Sequence, residues 1–370
     1  MPDESLPLVL HTRVVTGFGG GPDKTILNSP RYLRERGYRS VCAYMHPPED
    51  VGFEAVIKRG ERAGALVLSV PDRGALDWGV VRQLRDYCRA QGVAIWHGHD
   101  YKSNALGLWL RRSCPMKLVS TVHGWGVQDT RRTRLYYAID RFCLKRYDQV
   151  ICVSEDLYRK CESFGVKPHR LSLVANAIDL DEFRRLPDHA RTPECITVGA
   201  LGRLSAEKGF HHLIRAVAEL VRAGVQCRLV IGGEGAERRH LEQLIEDLGC
   251  EESVQLLGQV HDVVGFFSGL DFFVLSSIRE GLPNVVLEAM AMQVPVVATR
   301  IAGVPHLIEH QVHGWLVEPD SMEALKAGIA ALLGSRDLQR DLVANARERI
   351  ESHYSFAARM DKIAAIYDKF

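Results

Sequence analysis

Phe272-Phe273-Val274-Leu275-Ser276-Ser277-Ile278-Arg279-Glu280-Gly281-Leu282-Pro283-Asn284-Val285-Val286-Leu287-Glu288-Ala289-Met290-Ala291-Met292 reads as one strand, loop and helix in succession. The apolar run 272–275 has the length and composition of a buried strand, and Val285 to Met292 reads as a helix. Glu280 therefore sits on the strand-to-helix loop and Glu288 within the helix. Between them Gly281 permits close backbone approach, Pro283 suits a first helical turn, and the unpaired N–H groups there favour an anion. Two carboxylates flanking such a helix start can accept hydrogen bonds from hydroxyls, which suits a sugar nucleotide. Alternatively they are solvated charges at a helix end.

The same unit repeats outward along the chain. In the first half, strands fit Leu6–Leu10, Ser40–Tyr44, Ala65–Val70, Ala94–His97, Lys117–Val122, Gln149–Val153 and Leu171–Val174. Helices fit Thr25–Arg36, Val80–Gln91, Ser103–Arg112, Arg131–Lys145 and Ser154–Phe164 between them. A second series starts at Cys195, with strands Ile196–Leu201, Arg228–Gly232, Val254–Leu257, Asp271–Leu275, Pro295–Ala298 and Trp315–Val317. Its helices include Phe210–Ala223, Ala236–Asp247 and Met322–Leu333. Short apolar runs alternating with amphipathic stretches indicate parallel sheets covered by helices on both faces.

The break falls in the polar, aperiodic stretch Arg184–Pro193, which carries two prolines. The expected fold is α/β: two Rossmann-like doubly wound domains, 1–187 and 188–351, facing across a cleft, with a C-terminal helix of about 352–370 returning to the first. Ligands of such sheets bind beyond the carboxyl ends of the strands.

Length and composition agree: 370 residues with 46% apolar content suffice for two cores. The net charge of +1 conceals +8 in residues 1–187 and −7 in 188–370, and residues 101–147 alone carry +8. This is a basic surface on one domain rather than a basic protein; it suggests an acceptor presented at an anionic membrane surface, and no nucleic-acid partner is expected. Residues 131–147 place Leu135, Ala138, Ile139, Phe142 and Cys143 on one helical stripe, with Arg132, Arg141 and Lys145 elsewhere. That pattern fits a helix lying on a membrane, or one packed on its own domain with a solvated basic face. The nine cysteines form no Cys-x-x-Cys pair and no zinc spacing with histidine, which indicates reduced thiols in a cytosolic enzyme. The N-terminus lacks a basic start and an apolar core, and no apolar run approaches the ~20 residues that span a bilayer. The expected location is cytoplasmic, peripheral at most on the inner face of the membrane.

Gly17-Phe18-Gly19-Gly20-Gly21-Pro22 follows the first strand but lacks the Gly-x-Gly-x-x-Gly spacing, and no acidic residue about twenty positions on closes a second strand. A dehydrogenase is therefore disfavoured; backbone at Gly20 and Gly21 reaching a phosphate or sugar fits better. Arg203 and Lys208, in Gly202-Arg203-Leu204-Ser205-Ala206-Glu207-Lys208-Gly209, follow the first strand of the second domain and can neutralise a diphosphate, Arg through forked hydrogen bonds and Lys as a point charge.

These segments, with Gly232-Gly233-Glu234-Gly235, Gly258, Pro295-Val296-Val297-Ala298, Gly303-Val304-Pro305, Glu309 and Gly314-Trp315-Leu316-Val317, resemble the donor domain of retaining GT-B glycosyltransferases of family 4. The resemblance covers nearly all of the second domain and continues more loosely into the first. It implies transfer of a sugar from a UDP- or GDP-sugar, with retained anomeric configuration, to a glycan or lipid-linked glycan in cell-surface polysaccharide synthesis. By that resemblance Arg203 and Lys208 clamp the diphosphate, Glu280 grips the sugar hydroxyls, Glu288 holds the ribose, and Gly281, Leu282, Pro283, Asn284 and Val285 line sugar and phosphate. Gly233 and Gly235 lie near the nucleotide, and the base sits by the backbone of Val260. His123, in Ser120-Thr121-Val122-His123-Gly124, matches the family's active-site histidine, contacting the sugar or orienting the acceptor. Ser154 and Asn176 match family positions near the cleft and hinge and are read as structural. The nucleotide sugar is a substrate, and no resident cofactor is implied. Asp179-Leu180-Asp181 imitates a metal motif of another transferase class but belongs to the linker start, so the expectation is no metal, with Arg203 and Lys208 in its place. Competing readings are an epimerase or hydrolase on the same scaffold, which would turn over donor without acceptor, and a non-catalytic sensor, which would lose a catalytic position.

Overall fold

The computed structural model describes residues 5–124, 130–185, 195–280, 282–301 and 303–370, except the side chain of Arg132. The chain divides into two units, residues 1–176 with 356–370, and residues 177–355.

The first unit alternates β1 (Leu8–Val14), α1 (Gly21–Arg34), β2 (Arg39–His46), α2 (Phe53–Arg62), β3 (Leu66–Pro71), α3 (Trp78–Gln91), β4 (Val93–Gly98), α4 (Tyr101–Leu110), β5 (Lys117–Val122), α5 (Arg131–Leu144), β6 (Gln149–Cys152), α6 (Glu155–Ser163) and β7 (Leu171–Leu173). The seven strands form a parallel sheet in the order β3-β2-β1-β4-β5-β6-β7. Strand β6 is buried at every position, and its run Val150–Cys152 is continuously apolar because helices cover both faces. The order reverses between β1 and β4, where His11 lies in register with His97.

The second unit runs β8 (Ile196–Leu201), α7 (Phe210–Arg222), β9 (Cys227–Gly232), α8 (Arg238–Leu248), β10 (Val254–Gly258), α9 (Val263–Ser268), β11 (Phe272–Leu275), α10 (Asn284–Ala291), β12 (Val296–Thr299), α11 (Val304–Leu307), β13 (Trp315–Val317), α12 (Met322–Leu333) and α13 (Arg336–Arg349). Its sheet order is β10-β9-β8-β11-β12-β13, all parallel, with the reversal between β8 and β11. One apolar cluster packs α7, α8 and α12 against this sheet, and another packs α10 on strands β11 and β12.

The division differs from the expected boundary at 187/188. Residues 177–185 belong to the second unit because Ile178 bridges to Ser355 and Phe183 is buried in the cluster around α10. Most of the expected linker, residues 186–193, lies outside the described residues. After α13 the chain enters α14 (Phe356–Tyr367), which is part of the first unit: Tyr32 stacks on Phe356, Arg36 pairs with Asp361 at 2.7 Å, and Tyr38 donates to Asp368 at 2.6 Å. Arg359, buried in α14, donates to the carbonyls of Val174 and Ala175 and so fastens the helix beside the end of β7.

Helix α1 starts four residues earlier than its apolar period suggests, at Gly21 rather than Thr25. Gly20 forms the cap, Pro22 occupies the first turn with its φ preset, and the Asp23 carboxylate reaches back to the Gly20 N–H at 2.5 Å. Among the described residues no helix is long and apolar enough to cross a membrane.

Candidate active site

At the β8/β11 reversal two loops are pinned together by main-chain contacts. The Ile278 N–H donates to the Glu207 carbonyl at 2.8 Å, and the Ser276 hydroxyl to the Lys208 carbonyl at 2.9 Å. Gly209 sits so close to Ser276 that a Cβ there would stand 2.3 Å from its carbonyl oxygen. This clasp sets the Lys208 ammonium against Glu280 Oε1, which also accepts from the Ser277 hydroxyl at 3.0 Å. Both side chains remain about one-fifth exposed, 19% and 17%, so the pair is accessible to a ligand. Arg203 lies on the same loop and is exposed. A lysine paired with a carboxylate at the reversal of a parallel sheet, with an exposed arginine on the same loop, can meet phosphate and sugar hydroxyls together.

Glu288 is buried on α10, 4% exposed, among Leu287, Ala289 and Met290. Pro283 caps this helix, Asn284 begins it, and Leu282 and Val285 pack against the apolar cluster beneath. Gly281 lies outside the described residues. The loop carrying Gly233 and Gly235 is interlocked with that of Arg203: Leu204 N–H donates to the Glu234 carbonyl, and Glu237 N–H to the Leu204 carbonyl, each at 3.0 Å. Gly235 faces Leu204 at a distance that leaves no room for a side chain, and Val260 packs over Gly232. Asp179 is buried and accepts from the Asp181 N–H at 3.0 Å, closing a turn. Ser154 caps α6 through the Leu157 N–H.

In the first unit His123 follows β5 and belongs to a ladder the sequence did not reveal. Its Nε2 lies 3.0 Å from His99 Nδ1, and His99 Nε2 lies 3.1 Å from His11 Nδ1. Each contact needs one donor and one acceptor, so the tautomer of His123 is tied to His99 and that of His99 to His11. Below them His97 is held by Thr121 Oγ1 at 2.7 Å and the Tyr367 hydroxyl at 2.6 Å. Around this ladder, Arg13 pairs with the fully buried Asp23 at 3.0 Å, and Asp100 accepts from the Val14 and Ser103 N–H groups at 2.6 and 2.9 Å. Gly20 is the cap of α1, with its N–H engaged by Asp23, and Gly21 is the first helical residue. His97-Gly98-His99-Asp100, polar residues closing an otherwise apolar strand, was the available sequence signal. His11, His97 and His99 bring ligand atoms within 4.8 Å of one another, but the His99 ring is stacked on both of the others and both His97 nitrogens are engaged by hydroxyls. They fit a hydrogen-bonded stack better than a metal ion.

Burial pushes His11 down to about 3. Burial first, and then neighbouring positive charge including Arg359, holds His97 and His123 well below the ordinary histidine value; His99 is lowered the same way, with Arg13 contributing. The unfolded chain protonates these groups near pH ~6.5, where the folded unit keeps them neutral. Their contribution to stability is thus complete above about pH 6.5 and is lost as pH falls below it, by up to ~1.4 kcal/mol per histidine per pH unit. Urea midpoints measured from pH 7.5 to 5 should fall steeply below neutrality, and His11→Asn should flatten the slope. Equal midpoints at both ends would contradict the buried neutral ladder.

Two family models match the chain in succession, "Glycosyltransferase Family 4" over residues 19–182 and "Glycosyl transferases group 1" over residues 186–349. The chain belongs to the group 1 glycosyltransferases. Among curated relatives, the α-D-kanosaminyltransferase of Streptomyces kanamyceticus is 29% identical over 80% of this chain and 82% of its own. The capsular polysaccharide biosynthesis glycosyltransferase CapM of Staphylococcus aureus is 25% identical over 68% and 70%. The crystal structure of Anabaena HepE in complex with UDP superposes with a TM-score of 0.81 at 19% identity, covering 99% of this chain and all of that one. This glycosyltransferase therefore has the GT-B fold.

Proposed function

We propose that this glycosyltransferase moves a hexosyl group from a UDP-sugar to a hydroxyl of a glycan or lipid-linked glycan, with retention at the anomeric carbon. The observation that carries the proposal is the clasp of Lys208 against Glu280 at the β8/β11 reversal, with Arg203 on the same loop. In the reaction the bond from the anomeric carbon to the diphosphate oxygen breaks as the acceptor oxygen bonds to that carbon on the same face. The acceptor proton leaves with the diphosphate, whose developing charge Arg203 and Lys208 meet. Glu280 holds the sugar hydroxyls, Glu288 the ribose, and His123 the sugar or acceptor, without a metal. HepE with UDP and with UDP-glucose supports a uridine nucleotide; GDP-sugars are the competing donors. The cell-surface setting draws on relatives named for colanic acid and capsule biosynthesis. Nine unpaired cysteines support the reducing, cytoplasmic side of the membrane.

A panel of UDP- and GDP-sugars, assayed with and without acceptor glycans, tests the proposal. One UDP-hexose should be turned over far faster with acceptor than without. Equal turnover in both arms would favour a hydrolase or epimerase, and binding without turnover a sensor. Glu288→Ala should weaken donor binding ten- to a hundredfold, the value of a hydrogen bond to a charged group of about 1.5–3 kcal/mol, with a smaller change in kcat. A fall in kcat at unchanged KM would move Glu288 from the ribose to the reacting sugar.

A further inference from the structure

Helix α5 is turned the opposite way from an ordinary surface helix. Its inward side carries Asp140, bonded to Asn104 of α4 at 2.8 Å, with Cys143 and Leu144. Its outward side shows Leu135, Ile139 and Phe142, which are 59%, 38% and 53% exposed. Beside them Trp109 of α4, 50% exposed, packs edge-on against Trp78 at 5.2 Å. Between α4 and α5 runs a groove of about 520 Å³ lined by Leu108, Trp109, Arg112, Ile139 and Phe142. Contiguous apolar exposure of this kind marks an interaction surface rather than chance.

The charge around the groove chooses among partners. Arg112 lines it, and the Arg146 guanidinium lies 3.5 Å from the centre of the Phe142 ring. Arg131, Arg134 and Arg141 are exposed on the same helix. Of the two acids in residues 101–147, Asp140 is buried and Asp129 lies outside the described residues. A second copy docked here would set arginines against arginines, since a two-fold interface pairs a patch with itself. An anionic bilayer supplies both complements, phosphates for the arginines and acyl chains for the aromatic and aliphatic side chains.

We infer that the α4–α5 face docks on the anionic leaflet of a bilayer, with the groove taking a phospholipid acyl chain and the arginine rim meeting headgroup phosphates. It deepens the reading of a membrane-linked acceptor and is independent of donor chemistry. The test is co-sedimentation of the full chain, without donor, with vesicles of phosphatidylcholine alone or with about one-third phosphatidylglycerol. The parent should pellet with the anionic vesicles only, and less so at high salt. I139S/F142S, at exposed positions, should reduce the bound fraction at least about tenfold. R112Q/R146Q should reduce it roughly twentyfold, about fivefold for each lost charge near the surface. Both variants should keep the parental rate of donor hydrolysis in solution, which separates failure of docking from failure of the transferase reading. Absence of anionic-vesicle binding by the parent, or binding unchanged in both variants, would overturn the inference. So would a dimer that I139S/F142S splits while vesicle affinity stays the same.

Discussion

Lys208→Ala should turn over donor about a hundredfold more slowly than the parent, the loss of ~3 kcal/mol that removal of a well-placed charge from a leaving-group site produces. The fold should survive, because what ties this loop to β11 is main chain. The Lys208 carbonyl accepts the Ser276 hydroxyl and the Glu207 carbonyl accepts the Ile278 N–H, and neither depends on the ammonium group. The deleted ion pair is about one-fifth exposed and Glu280 keeps the Ser277 hydroxyl, so the stability cost should be about 1–3 kcal/mol, or roughly 2–10 °C in Tm, short of unfolding the domain. Steady-state kinetics and thermal melts on the same preparation separate the two effects. Turnover within threefold of the parent would remove Lys208 from the chemistry, and a collapse of Tm would make it structural.

The pairing of Lys208 with Glu280 lets opposite charges share one site. Each neutralises the other, and an arriving diphosphate sugar can replace the ammonium–carboxylate contact with two complementary ones. Glu280→Gln leaves Lys208 its positive charge and removes its counter-charge, so diphosphate binding should hold or tighten while transfer falls. This opposition between affinity and rate is what distinct roles for the two residues require.

The parallel strands were legible because burial on both faces demands continuous apolar runs, as in Val150-Ile151-Cys152 and Val296-Val297-Ala298. Lys208 and Glu280 were legible for a related reason: each follows such a run, and strand ends at a reversal of order are where a sheet exposes its loops. Helix α13 escapes the periodic reading since few of its residues face a core. In α13 only Leu342 and Ala346 are buried, in a segment of which half the residues are charged. The histidine ladder was out of reach because its rungs come from β1, from β4 and its end, and from the loop after β5, and only strand register sets His11 beside His97. The pairing of Asp23 in α1 with Arg13 near the end of β1 was likewise out of reach, since only the fold brings the two together. Of the α5 stripe, Leu135, Ala138, Ile139 and Phe142 face outward while Cys143 is buried, a division not legible in the sequence because it follows from the buried Asp140–Asn104 bond.

Gly233→Ala should lower the Tm of the second unit by roughly 10 °C. Gly233 has φ +139°, a conformation that side chains rarely adopt, and a Cβ would lie 1.8 Å from the Gly202 carbonyl oxygen. Strain of this kind costs ~1–3 kcal/mol and overpacking a similar amount. Neither can be relieved locally, because Gly202 N–H is bonded to the Gly232 carbonyl at 3.0 Å and Gly233 N–H to that of Gly258 at 2.7 Å. The yielding element must be the loop that carries Arg203, so activity should fall with stability. Gly20→Ala provides the contrast: its φ is −152°, and an added Cβ meets nothing within 4 Å. It should melt with the parent, and any loss of activity it shows would come from crowding a ligand rather than the fold. Melting of Gly233→Ala within 2–3 °C of the parent, with turnover intact, would show that the two loops separate at little cost. Their interlock would then not be what positions Arg203.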